Sequence, residues 1–89
     1  MTELHLESLR QTLKEMIVKE CDKDVPPESI SDDELLIGGP LDLDSLDALQ
    51  ICLAVKDRWD VRIEGGPNAR KALASVSALA QTIIDARSA

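Results

Sequence analysis

The chain has 89 residues, 30% of them charged and 44% hydrophobic, with neither Phe nor Tyr and with Trp59 as its one Trp. That length allows one small domain over residues 1–89, whose thin core must come from Leu, Ile, Val, Ala and Met. Seventeen acids against ten bases leave a net charge of −7, which argues against nucleic acid and anionic membrane surfaces and suits a basic partner. Cys21 and Cys52 have neither zinc spacing nor a redox CxxC arrangement. Met1-Thr2-Glu3-Leu4-His5 lacks the basic region and apolar run of a signal peptide. No apolar run approaches the roughly 18 residues of a membrane span. A cytoplasmic protein with two reduced thiols is the expectation.

In chain order, Leu6, Leu9, Leu13, Met16 and Ile17 recur at three- and four-residue steps, which predicts a first helix with these side chains on one face. Thr2 can cap its start, and Glu15 with Lys19 forms an i, i+4 pair on its polar side. The pattern fades at Cys21-Asp22, and Pro26-Pro27 prevents a simple continuation. Residues 22–44 read as a long loop. Within it, Ser31 and Glu34 have capping-box spacing. That spacing predicts a short helical turn in which Leu35, Leu36 and Ile37 plug the core, broken by Gly38-Gly39-Pro40.

A second helix follows from about Leu46 to Trp59, with Asp44 as N-cap and Asp47 in its first turn. Val61-Arg62-Ile63 reads as an extended connector. Gly65-Gly66-Pro67 is a break, and Pro67 suits the first position of a short third helix through about Ala72. Ser75 can cap a last helix striped by Val76, Leu79, Ala80, Ile83 and Ile84. These elements predict an all-α protein: a small four-helix bundle, three main helices and one short one, with a long loop between helices 1 and 2.

The second helix carries two apolar faces. At about 100° per residue, Ala48, Ile51, Cys52, Val55 and Trp59 share one arc, while Leu46, Leu49 and Leu53 share another. A helix in a small bundle buries one broad face. The wider arc is therefore assigned to the core, and the three leucines form a candidate docking patch, unless the long loop folds back over them. Charge is uneven as well. Residues 20–47 hold ten acids against Lys23 alone, so this region carries −9 while the remainder carries +2. The acidity surrounds the start of the second helix.

The segment Leu41-Asp42-Leu43-Asp44-Ser45-Leu46-Asp47-Ala48-Leu49 ends the loop and opens that helix. Its Asp44-Ser45-Leu46 core resembles the attachment motif of acyl carrier proteins. The length, the acidity, the long loop, the motif's place at the start of the second helix and the short third helix are similar too. Leu73-Ala74-Ser75-Val76 looks like the family's entry into its last helix, and the resemblance runs from about Leu6 to Ile84.

The resemblance implies a carrier without catalytic activity of its own. Ser45 would receive 4′-phosphopantetheine from coenzyme A through a phosphopantetheinyl transferase. Asp44 would cap the helix and help the transferase's Mg²⁺ or basic groups engage the site. Backbone N–H groups at the helix start would accommodate the phosphate. The thiol of the attached arm would carry acyl groups as thioesters between acyl-loading, ketosynthase or other acyl-transfer enzymes with basic docking surfaces. Leu46, Leu49 and Leu53 would dock on those partners, and Asp42, Asp47 and Asp57 would meet their Arg and Lys residues. A monomer serving fatty acid, polyketide or related acyl biosynthesis is implied.

The chain also departs from the common pattern. Asp42-Leu43 stands where many carriers have Gly-Ala or Gly-Leu, and Lys56 and Arg58 stand where many have acids. The two bases imply a dedicated set of partners in a specialised pathway, with Lys56 part of the docking face. Asp rather than His before Ser45 favours an acyl over a peptidyl carrier.

Other chemistries fit poorly. A serine hydrolase needs a positioned base, and the only histidine is His5, a surface residue by its place near the terminus. A calcium loop from Asp42 fails, because its sixth position is Asp47 rather than Gly and its twelfth is Leu53 rather than Glu. The remaining rival is an acidic interaction module that uses the same leucines and acids without a prosthetic group.

Overall fold

Leu9, Leu13, Met16 and Ile17 lie buried along one stripe of α1 (Leu6–Glu20) in the computed structural model, which describes residues 6–64 and 67–88. Thr2, His5 and the Gly65-Gly66 break fall outside those residues. Glu15 takes a different partner from the expected Lys19. Its carboxylate accepts from Gln11 Nε2 at 3.2 Å, the neighbour one turn earlier. The helix ends in a Schellman arrangement, with Lys23 N donating to Val18 O at 3.0 Å and Asp22 N to Lys19 O at 3.3 Å. Asp22 takes the left-handed conformation this requires, at φ 53°.

Three further helices complete a small all-α bundle: α2 (Ser45–Trp59), α3 (Pro67–Ala72) and α4 (Val76–Ser88). α1 packs against both α4 and α2, and α3 packs against α4. Ile17, Ile51, Val55, Val76, Leu79 and Ile83 are fully buried where these helices meet. Each such side chain contributes about 1.5–3 kcal/mol of burial energy. Asp60 closes α2 at φ 56°, with its N–H bonded to Lys56 O. No strand forms over the expected connector Val61-Arg62-Ile63, and Val61 is buried. Pro67 opens α3, and Ser75 Oγ caps α4 by accepting from Ala78 N at 3.1 Å. Among the described residues no helix is long and apolar enough to cross a membrane.

The long loop differs from its expected form. Its ordered piece is a 3-10 turn at Pro27–Ser29, where Pro27 supplies a preset φ. No helical turn forms at Leu35–Ile37. Only half of the box exists, with Ser31 N donating to Glu34 Oε1 at 2.7 Å. The next backbone donors go to tertiary partners: Leu36 N to Ala74 O at 3.2 Å and Gly38 N to Leu43 O at 3.3 Å, alongside an isolated bridge between Ile37 and Leu43. The backbone bends at Leu36. Leu36 is fully buried, while Leu35 and Ile37 face outward at 61% and 38% exposure.

Ile30, Leu36 and Leu43 are the loop's real plugs. Asp32 straps it down: its carbonyl accepts from Ser77 N at 2.9 Å, and its carboxylate meets Lys14 Nζ at 2.7 Å and Arg10 Nη1 at 3.7 Å.

Candidate functional site at the start of α2

The turn before α2 delivers the site. Gly38 sits at φ +78°, and a Cβ on Gly39 would collide with Leu35 O, so glycine is required there by space. Asp42 N donates to Gly39 O at 2.9 Å, and Asp42 adopts φ 54°. Asp is one of the few side chains that tolerate this left-handed region. The residue thus does conformational work at a position where the sequence reading expected only charge. Leu43 then plunges into the core and anchors the chain immediately before the helix.

Asp44 is extended at φ −113° and caps α2 with a full capping box. Its Oδ1 accepts from Asp47 N at 3.0 Å, and its own N–H donates to Asp47 Oδ2 at 3.1 Å. The Asp47 N–H, aided by that of Leu46, holds the Asp44 carboxyl below the usual carboxylate range. The Asp47 N–H is thus engaged by Asp44. The cap places a carboxylate at the positive end of the helix dipole, beside Ser45.

Ser45, the first residue of α2, is exposed, and its hydroxyl makes no hydrogen bond among the described residues. Around it, Leu46, Leu49 and Leu53 stand out at 71%, 55% and 59% exposure, so the loop does not cover them. Instead it enlarges the apolar surface: Leu35 and Ile37 line one groove together with Leu49 and Ser45. Leu35-Leu36-Ile37 are all apolar, so no alternation in the sequence separates the buried one from its neighbours.

The groove has a volume of about 710 Å³ and lies between α2 and the α3 segment, with Cys52 and Leu73 also in its walls. Cys52 is half-buried, and burial raises its thiol pKa. Cys21 is buried, with Sγ at 3.9 Å from Asp47 O. Burial first, then the Asp47 carboxylate, pushes its thiol up to about 11. Neither thiol is a ready nucleophile at neutral pH.

Of the predicted partner-facing residues, Asp42, Asp44 and Asp57 are exposed and Asp47 is half-buried. Lys56 is engaged within its own chain. Its Nζ lies 2.6 Å from Asp60 Oδ1, because the capping residue of α2 falls one turn after it. Arg58 stacks over the Trp59 ring at 5.4 Å from the centroid. Trp59 itself is half-buried, and its carbonyl accepts from Arg87 Nη1 at 2.7 Å. Among the described residues no group of three or more His, Cys, Asp or Glu side chains is placed to hold a metal ion. The chain matches no protein-family model and no curated protein.

Proposed function

We propose that the chain is an acyl carrier protein and that Ser45 is its site of 4′-phosphopantetheine attachment. The observation that supports this most is the exposure of an unpartnered Ser45 hydroxyl as first residue of α2, within the segment 41–49 that resembles the family's attachment motif. The surroundings fit such a group. An open groove of about 710 Å³ adjoins the serine, and exposed leucines flank it.

On this reading Ser45 Oγ attacks the β-phosphorus of coenzyme A on a phosphopantetheinyl transferase. A Ser45 O–P bond forms, the bond to the nucleotide breaks, and adenosine 3′,5′-bisphosphate leaves. Among the described residues no side chain hydrogen-bonds the Ser45 hydroxyl, and on this reading the partner takes the serine proton. Asp44 and Asp47 keep the backbone around Ser45 rigid and present carboxylates to the partner's basic groups or Mg²⁺. Leu46, Leu49 and Leu53 supply apolar docking area, and Asp42 and Asp57 steer the encounter. When attached, the arm supplies a thiol that carries acyl groups as thioesters for partners such as acyl-loading enzymes or ketosynthases. Lys56, exposed beside the capping Asp60, belongs to the docking face as well.

Intact mass tests the proposal. Incubation with coenzyme A, Mg²⁺ and a broad-specificity transferase should add one phosphopantetheinyl group. Ser45→Ala should abolish that gain while changing stability by no more than about 0.5 kcal/mol, since the side chain is exposed. No gain, or a gain that survives the substitution, overturns the assignment and leaves an unmodified acidic interaction module.

A further inference from the structure

We propose that Lys23 is the counter-ion of the phosphodiester on Ser45 and holds the root of the attached arm against the end of α1. The inference rests on the carrier reading and adds a positioning residue to the same site.

Lys23 is the single base among residues 20–47, which otherwise carry ten acids. Its backbone is fixed, because the turn that ends α1 closes on it: Lys23 N donates to Val18 O at 3.0 Å. That turn abuts the first turn of α2. The buried Cys21 donates its thiol to Asp47 O, with Sγ at 3.9 Å, and Asp47 lies two residues after Ser45.

The charge of Lys23 acts on both sides of this contact. The Asp47 N–H is the main reason that the Asp44 carboxyl titrates low, and the Lys23 ammonium adds to it. At Cys21, burial and the Asp47 carboxylate raise the thiol, and Lys23 acts against them. Yet the ammonium is bound to neither carboxylate. Lys23 is half-buried, and among the described residues its side chain makes neither an ion pair nor a hydrogen bond.

Place, rather than a free charge alone, selects this residue. Lys19 is also unpaired, but it lines a groove with Gln50 and Asp57 that Ser45 does not border. Arg62 follows the far end of α2, and Lys71 lies on α3.

Modification creates the need for such a base. It adds one full negative charge at Ser45, between Asp44 and Asp47. Like charges this close repel one another, and a cation beside them offsets the repulsion. The flexible four-carbon stem of lysine lets the ammonium swing from its place near Asp44 to an oxygen of the neighbouring phosphate. A hydrogen bond between two charged groups is the stronger kind.

The test follows the lysine Hε–Cε resonances of the whole chain through a pH titration, before and after modification with coenzyme A and a broad-specificity transferase. Intact mass reports loading first, and failure to load overturns the carrier reading together with this inference. With loading complete, the titration midpoint of Lys23 should rise by about 0.2–0.7, the effect of one exposed ion pair. The midpoints of Lys19 and Lys71 should stay in place.

In the loaded protein the ³¹P resonance of the phosphodiester should move in Lys23→Gln and return toward its wild-type position in Lys23→Arg. A Lys23 midpoint that does not move on loading, or a rise matched at Lys19, overturns the inference while the carrier reading stands. So does a ³¹P resonance that is indifferent to Lys23→Gln.

Discussion

The two apolar faces of α2 are made of similar material and have opposite fates. Ile51 and Val55 are fully buried, whereas Leu49 and Leu53, each two residues earlier, keep more than half of their surface in water. A separation of two residues turns a helix by about 200°. One face therefore packs into the core against α1, while the other borders an open groove. The loop had the length to cover the leucines. It is held away by the Asp32 strap and by the buried plugs Ile30, Leu36 and Leu43, and it adds two outward apolar residues of its own. Hydrophobicity alone thus does not separate fold from function in this chain. The neighbouring elements do.

The sharpest way to break that contrast is to truncate both faces. Ile51→Ala should lower the unfolding free energy by about 2–5 kcal/mol, through lost burial and the cavity left behind. Leu49→Ala should change it by no more than about 0.5 kcal/mol and, on the proposed carrier reading, slow acyl transfer with a partner enzyme by about fivefold or more. Urea titrations and turnover measurements on the two variants would settle the matter. Similar stability losses for both would place Leu49 in the core.

A smaller effect probes what keeps the loop off the leucines. Gly39→Ala places a Cβ against Leu35 O and must push the loop aside. Overpacking of this kind should cost about 1–3 kcal/mol, read as a lower urea midpoint. Its structural mark should be altered amide resonances at Leu35 and Leu36. An unchanged midpoint would mean that the turn yields freely.

The smallest expected effect is electrostatic. The Lys14 ammonium, with help from Arg10, holds the Asp32 carboxyl below its ordinary range. A carboxyl whose folded pKa is depressed stabilises the fold above its unfolded pKa, and that stabilisation disappears as pH falls through the folded value. Wild type should therefore lose about 0.2–1 kcal/mol more than Asp32→Asn on going from pH 7 to below about 4. The gap should narrow at high salt. A constant gap across that range would remove the strap from the account of the loop.

Much of the bundle was legible beforehand, because helix signals are local. The α1 stripe, the Asp44 cap, Pro67 at the head of α3 and the Ser75 cap all depend on residues within a turn or two of each other. The loop was less legible for the opposite reason. Ser31 and Glu34 had the right spacing for a cap, but Leu36 N found a partner in Ala74, more than thirty residues away. Asp42 shows the converse. Its departure from a common glycine pattern becomes intelligible once its φ of 54° is known.

By itself the sequence determined that this is a small, acidic, aliphatic all-α chain, with a serine at the start of its second main helix and two rows of apolar residues along it. Composition, periodicity and capping are properties of neighbours in the chain, so they can be read without a fold. Only the tertiary structure decided which row is buried and that Leu35 and Ile37 join the exposed one. It also decided that Arg70 stands in the wall of the groove beside Ser45. Each of those depends on what distant segments place opposite a residue, and packing supplies that information where local sequence does not.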